Sequence, residues 1–187
     1  MGQKNELKVR AFFGLPLPEA QREELGRYIA AASVLAPEFR WTPPANLHLT
    51  VRFLGQVEQP LAEGIMERLE GAGLRGFDLR LGELGVFRRG RLARVVWVRV
   101  AEGLPEMVAV AAAVEAESVR AGLDPEARKF NAHLTLARPR ARDGARLPEL
   151  PPPPVLAPWR ADELVLYRSH LGRAGSVYEP LRTLRLS

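Results

Sequence analysis

Three histidines occur in this chain of 187 residues, and two of them sit in near-copies of one short phrase. The first is NLHLTV, with Asn46, His48 and Thr50; the second is NAHLTL, with Asn131, His133 and Thr135. Only four threonines are present, so a threonine two residues after both histidines is a pattern rather than a scatter. In an extended strand, residues two apart point to the same side and lie about 6.6–7 Å apart. Each phrase therefore presents one imidazole beside one hydroxyl. Two such strands facing each other would build a four-residue polar floor. Imidazole titrates near pH ~6.5, so one ring can be neutral while the other is protonated. A base and an acid on opposite sides of a phosphorus suit in-line displacement, one activating the nucleophile and the other protonating the leaving oxygen. The two hydroxyls can donate to the non-bridging oxygens, where transition-state charge is held.

Other chemistries fit these residues less well. The absence of cysteine excludes disulfides, thiolate nucleophiles and Cys-based zinc sites. There is no HEXXH run and no His-Asp doublet, and a closed zinc site needs four N, S or O donors. We therefore expect no metal and no cofactor. His170, in RSHLG, lacks a threonine companion and reads as a surface histidine.

Lys+Arg 27 against Asp+Glu 22 leaves a net charge of +5, and only Lys4, Lys8 and Lys129 are lysines. The planar guanidinium matches phosphate, so the bias fits a polyanionic partner; it fits the base composition of the gene equally well. The run Arg88-Arg89-Gly90-Arg91 reads as a basic hairpin tip, either solvated or able to steer a nucleic-acid backbone. No apolar run approaches the roughly 18 residues needed to span a bilayer. The opening MGQKNELKVR has no apolar stretch after its charges, so we expect no secretory signal, no membrane association and a cytoplasmic location.

Several elements must position the two phrases. Val9–Leu15 alternates as a strand, and EAQREELGRYIAAA spaces Leu25, Ile29 and Ala32 at helical intervals. Around the first phrase Leu47, Leu49, Val51 and Phe53 alternate with His48, Thr50, Arg52 and Leu54, apolar side to a core and polar side outward. Pro60–Gly73 reads as a helix, FDLRLGELGVF and ARVVWVRV as strands, and Pro105 opens a helix that Gly122 stops. After the second phrase, residues 139–158 are rich in Arg, Gly and Pro and read as a stiff surface connector. The strand-like runs ELVLYRS and VYEPLRTLRL follow it. Both phrases fall on strands that follow a helix, which predicts an internal duplication with a pseudo-twofold axis.

The runs PANLHLTVRFLG and FNAHLTLAR, with the VRAFFGLPLPE opening and the closing ELVLYRSHLGRAGSVYEPL, resemble the two-histidine phosphoesterase superfamily over essentially the full length. More narrowly they are similar to the RNA 2′,3′-cyclic phosphodiesterases, also called 2′-5′ RNA ligase-like. The resemblance implies an α+β, bilobal fold spanning 1–187: two antiparallel sheets with flanking helices around a central cleft. It implies metal-independent hydrolysis of RNA ends or nucleoside 2′,3′-cyclic phosphates to a 2′-phosphate, by a monomer. It makes His48 the proton donor and His133 the acceptor, a division that the spacing leaves open. The same site run in reverse would join a 5′-hydroxyl to the cyclic end as a 2′-5′ ligase, and a non-catalytic RNA-binding module is the remaining alternative. The resemblance also marks Arg138 as a phosphate ligand and Phe53 as an aromatic that can meet a base. Ideal strand parity places both opposite the histidines, so Arg138 needs a strand end or bulge near Ala137, and Phe53 fits the core as well. Arg52 has the parity of His48 and is either a substrate ligand or a solvated strand-end arginine. Ala132 stands where the family usually has proline.

Overall fold

The computed structural model describes residues 8–172 and 175–187; the opening segment, expected to carry no secretory signal, lies mostly outside them. In chain order the elements are β1 (Lys8–Pro16), α1 (Glu19–Leu35), β2 (Phe39–Trp41), a 3-10 turn (Pro44–Asn46), β3 (His48–Glu58), α2 (Gln59–Glu70), β4 (Phe77–Arg89) and β5 (Leu92–Glu102). Then come α3 (Leu104–Arg120), β6 (His133–Pro139), β7 (Trp159–Ala161), β8 (Glu163–Gly172) and β9 (Gly175–Arg185). The expected alternation of strands and helices is present. The two additions, β2 and β7, are three residues long, too short for any periodicity to announce them.

All strand pairings are antiparallel, in the order β7-β4-β5-β6-β3-β1-β8-β9, with β2 also on β6. The two expected sheets are thus joined edge to edge. Their seam is a single residue pair, Leu49 opposite Leu134, and both side chains are fully buried. On either side of the seam the chain repeats one device. A strand leads through a helix to an antiparallel neighbour carrying the histidine: β1–α1–β3 in one half, β5–α3–β6 in the other. The chain then returns from the second half to the first, where β8 lies against β1.

One face of the sheet is covered by helices. Leu25, Ile29 and Ala32 of α1, Ile65 and Leu69 of α2, and Met107, Val110 and Val114 of α3 share a core with Leu49 and Leu134. Each of these Leu, Ile, Val and Met side chains stabilises by about 1.5–3 kcal/mol on leaving water, and Ala32 by less. The other face of the seam stays open, because β3 and β6 turn their polar residues toward it. The 139–158 connector is pinned to the body. Ala145 bridges Ala93, the Tyr28 hydroxyl donates to Pro151 O at 2.9 Å, and the Gln21 amide donates to Ala157 O at 3.2 Å. Burial pushes the Tyr28 hydroxyl up to about 12, which keeps it a donor at neutral pH.

Candidate active site

The Leu49–Leu134 pair sets the geometry of the site. Directly opposed residues in an antiparallel pair project to the same side. With these leucines pointing into the core, His48 and Thr135 form the next opposed pair on one side, and Thr50 and His133 the next on the other. All four polar side chains then project from the open face. The two histidines are diagonal neighbours on adjacent strands, about 7–8 Å apart at the backbone. That leaves both rings projecting from the same face of adjacent strands.

Each ring is held by the same hydrogen bond. His48 Nδ1 donates to Asn46 O at 2.7 Å, and His133 Nδ1 donates to Asn131 O at 2.7 Å. A carbonyl oxygen only accepts, so the proton of a neutral ring resides on Nδ1, and Nε2 is left to face the cleft. The residue two before each histidine therefore acts through its backbone, while the Asn46 side chain donates to Ser176 O at 2.6 Å and ties β9 to the first phrase. His48 Nε2 lies 3.0 Å from Thr50 Oγ1. Burial lowers the pKa of His48 against the smaller opposing effect of the Asn46 carbonyl. Burial also lowers that of His133, and the Arg138 cation adds to the lowering.

Past each threonine the strands depart from ideal alternation in the same way. Opposite β1, Gly14 pairs with Thr50 and Phe13 with Arg52, which leaves Val51 as an extra residue. Opposite β5, Trp97 pairs with Thr135 and Val96 with Ala137, which leaves Leu136 extra. These are β-bulges three residues after each histidine, and a bulge flips the parity of everything beyond it. Arg138 is carried to the open face beside His133, the condition its proposed role required. Phe53 is carried there too and is 56% exposed, so the core reading of Phe53 fails. Arg52 goes the other way and is 8% exposed. It ion-pairs with Glu115 of α3 and donates to Asp124 O at 2.7 Å and Glu115 O at 3.3 Å. Arg52 as a substrate ligand or a solvated arginine is thus corrected: it is a strut between β3 and the end of α3.

Aromatic walls flank both rings, a feature that the spacing of the two phrases does not announce. Around His48 stand Phe12 at 4.7 Å and Tyr178 at 5.0 Å between ring centroids, with Tyr167 at 6.1 Å. Around His133 stand Phe87 at 5.2 Å and Trp97 at 5.9 Å. Gly14 lets the first wall close, since a Cβ there would sit 3.4 Å from His48 Cδ2 and 3.1 Å from Leu49 O. Gly85 does the same for the second, because the Trp97 indole lies over it. Only Phe12 had a usable signal, a polar-side aromatic on a strand read as alternating; the others depend on strand order.

The sequence pattern described as LigT-like phosphoesterase matches this chain twice, over residues 15–97 and 98–178, so each match contains one histidine phrase. The chain belongs to this family. The RNA 2′,3′-cyclic phosphodiesterase of Methanothermobacter thermautotrophicus is 32% identical over 96% of this chain and 100% of its own length. That of Escherichia coli is 29% identical over 95% of this chain and 97% of its own. The crystal structure of Escherichia coli LigT complexed with 3′-AMP superposes with a TM-score of 0.84 at 28% identity, covering 97% of this chain and 99% of that one.

Two further features of this LigT-like phosphoesterase lie outside the floor. His170 pairs with Glu179 at 2.7 Å on the exposed face of the β8–β9 hairpin, a surface histidine as expected. The Arg88–Arg91 tip is the exposed β4–β5 turn, with Gly90 at φ 59°. Among the described residues, no three His, Cys, Asp or Glu side chains gather to hold a metal ion, and no helix is long and apolar enough to cross a membrane.

Proposed function

We propose that the chain hydrolyses the terminal 2′,3′-cyclic phosphate of RNA to a 2′-phosphomonoester by acid–base catalysis between His48 and His133. The observation that carries this reading is the seam, where one residue pair sets both imidazoles and both hydroxyls on one open face. Two relatives that match nearly end to end and are named RNA 2′,3′-cyclic phosphodiesterase support the substrate class. In the proposed step, water attacks phosphorus and gives its proton to His133 Nε2. The P–O3′ bond breaks, its electrons stay on O3′, and His48 Nε2 supplies the proton. Thr50 and Thr135 donate to the non-bridging oxygens, and Arg138 neutralises their charge.

The division of labour has physical support. Burial first, and Arg138 in addition, disfavour an imidazolium at His133, as a base requires; Arg138 is the part of this that His48 lacks. At His48 burial alone works against the proton, and an arriving phosphate anion favours it. Since each half of 1–187 contributes one histidine, the chain works as one bilobal unit, and a monomer suffices.

The test is RNA ending in a 2′,3′-cyclic phosphate, incubated with EDTA, with the product resolved into 2′- and 3′-monophosphates. A 2′-phosphate is expected. A 3′-phosphate overturns the orientation, and no turnover overturns the reading. Supplying a 5′-hydroxyl RNA in the same assay reports ligation directly.

A further inference from the structure

On β2, Arg40 lies directly opposite Arg138 of β6, and both are exposed. Their neighbours Phe39 and Ala137 are buried with Ala36, Ala93 and Val96 beneath Leu147 and Leu150 of the connector, so the two guanidinium groups project to the opposite face, the one that carries His133. Like charges directly opposed across a strand pair repel and destabilise the sheet. Among the described residues neither arginine has a carboxylate within ion-pair distance. The same holds for Arg88, Arg89 and Arg91 at the end of the adjoining hairpin. Phe87, which packs against His133, is on the open face, and Arg89 two residues further along β4 shares its parity. From Arg138 to Arg89 is two strands across and two residues along, about 12 Å. An unneutralised basic lane therefore leads away from the reacting centre on the His133 side, across β6 to the β4–β5 tip. On the His48 side the same face carries Phe12, Phe53, Tyr167 and Tyr178.

We propose that Arg40, together with the Arg89 tip and next to the Arg138 that serves the scissile phosphate, forms a second phosphate subsite that holds the internucleotide phosphates upstream of the cyclic end. This inference rests on the reading of the site as an RNA cyclic phosphodiesterase and names how the enzyme distinguishes an RNA end from a free cyclic nucleotide. A cyclic mononucleotide occupies the floor alone. An RNA end also lays its next phosphates along the lane, where bidentate guanidinium contacts and counterion release favour it.

The experiment compares kcat/KM for a cyclic mononucleotide with that for a short single-stranded RNA ending in the same cyclic nucleotide, across ionic strength. The parent protein, Arg40→Gln, Arg40→Lys and the Arg89→Gln/Arg91→Gln pair are measured. The parent is expected to prefer the oligonucleotide, with a preference that falls as salt rises. Arg40→Gln should cut the oligonucleotide-to-mononucleotide ratio about tenfold, the loss expected for one charge-assisted contact. It should also flatten the logarithmic salt dependence by about 0.7 for each phosphate contact removed. Arg40→Lys should recover part of the ratio, and the tip pair should lower it further. Thermal unfolding checks that the variants remain folded. An unchanged ratio in Arg40→Gln overturns the inference, as does an equal loss on both substrates. A parent that hydrolyses both substrates with equal preference overturns the lane and leaves the cyclic phosphodiesterase reading standing; a parent that hydrolyses neither overturns that reading itself.

Discussion

His48 and His133 share one local device, a backbone carbonyl two residues upstream that fixes Nδ1 as the donor and turns Nε2 toward the cleft. In the proposed mechanism each ring transfers one proton, so His48→Ala and His133→Ala should each lower kcat by about 10²–10⁴-fold. The unfolding transition should survive in both, and near-parental rates in either would refute the paired scheme. Burial holds both rings below the ordinary imidazole value. The bell of kcat/KM, which reports the free protein, should therefore centre below about pH 6.5. Bound phosphate favours imidazolium, so the kcat profile should lie at higher pH than that of kcat/KM. Removing the cation in Arg138→Gln should raise the His133 pKa, an upward shift readable by imidazole NMR; no shift or a downward one would place Arg138 away from the ring.

The paired bulges at Val51 and Leu136 govern the elements that carry these residues. Each lets one strand serve both faces: polar floor before the bulge, and after it an aromatic or a guanidinium on the floor side with the intervening residue sent inward. The inward residue is Arg52 in the first half and Ala137 in the second. Arg52 is bound at three oxygens on α3 and the segment after it, and its loss would strand them partly buried. Arg52→Met should lower stability by about 2–3 kcal/mol in urea unfolding while leaving KM for the cyclic mononucleotide near parental. A raised KM with unchanged stability would return Arg52 to the binding surface.

For the molecule as a whole, everything converges on the Leu49–Leu134 seam. Leu49→Ala or Leu134→Ala should cost about 2–5 kcal/mol as a buried truncation. Because the seam sets the separation of the rings, kcat should fall in both variants under conditions where they stay folded. Full activity would mean that the helical layer holds the two halves in register without it. The depressed histidines also link stability to pH. The unfolded chain titrates near pH ~6.5 and the folded rings below it, so below that value the unfolded state binds more protons. Their contribution to stability is complete above about pH 6.5 and is lost as pH falls through the folded values. Denaturant midpoints measured on both sides of that range would check the sign.

The two His-x-Thr phrases, the apolar alternation around them and the helices Leu25–Ile29–Ala32 and Ile65–Leu69 were all legible, because period and spacing are local properties of a chain. So was the duplication, since both phrases follow a helix. Parity beyond Val51 and Leu136 was not. A bulge arises from the register between two strands, and that register depends on β1 and β5, far away in sequence. For the same reason Arg52 and Phe53 exchanged faces, and the aromatic walls and the Arg40–Arg138 pair stayed hidden until strand order set them side by side. Local periodicity says which residues share a strand face; only the pairing of distant strands says what that face meets.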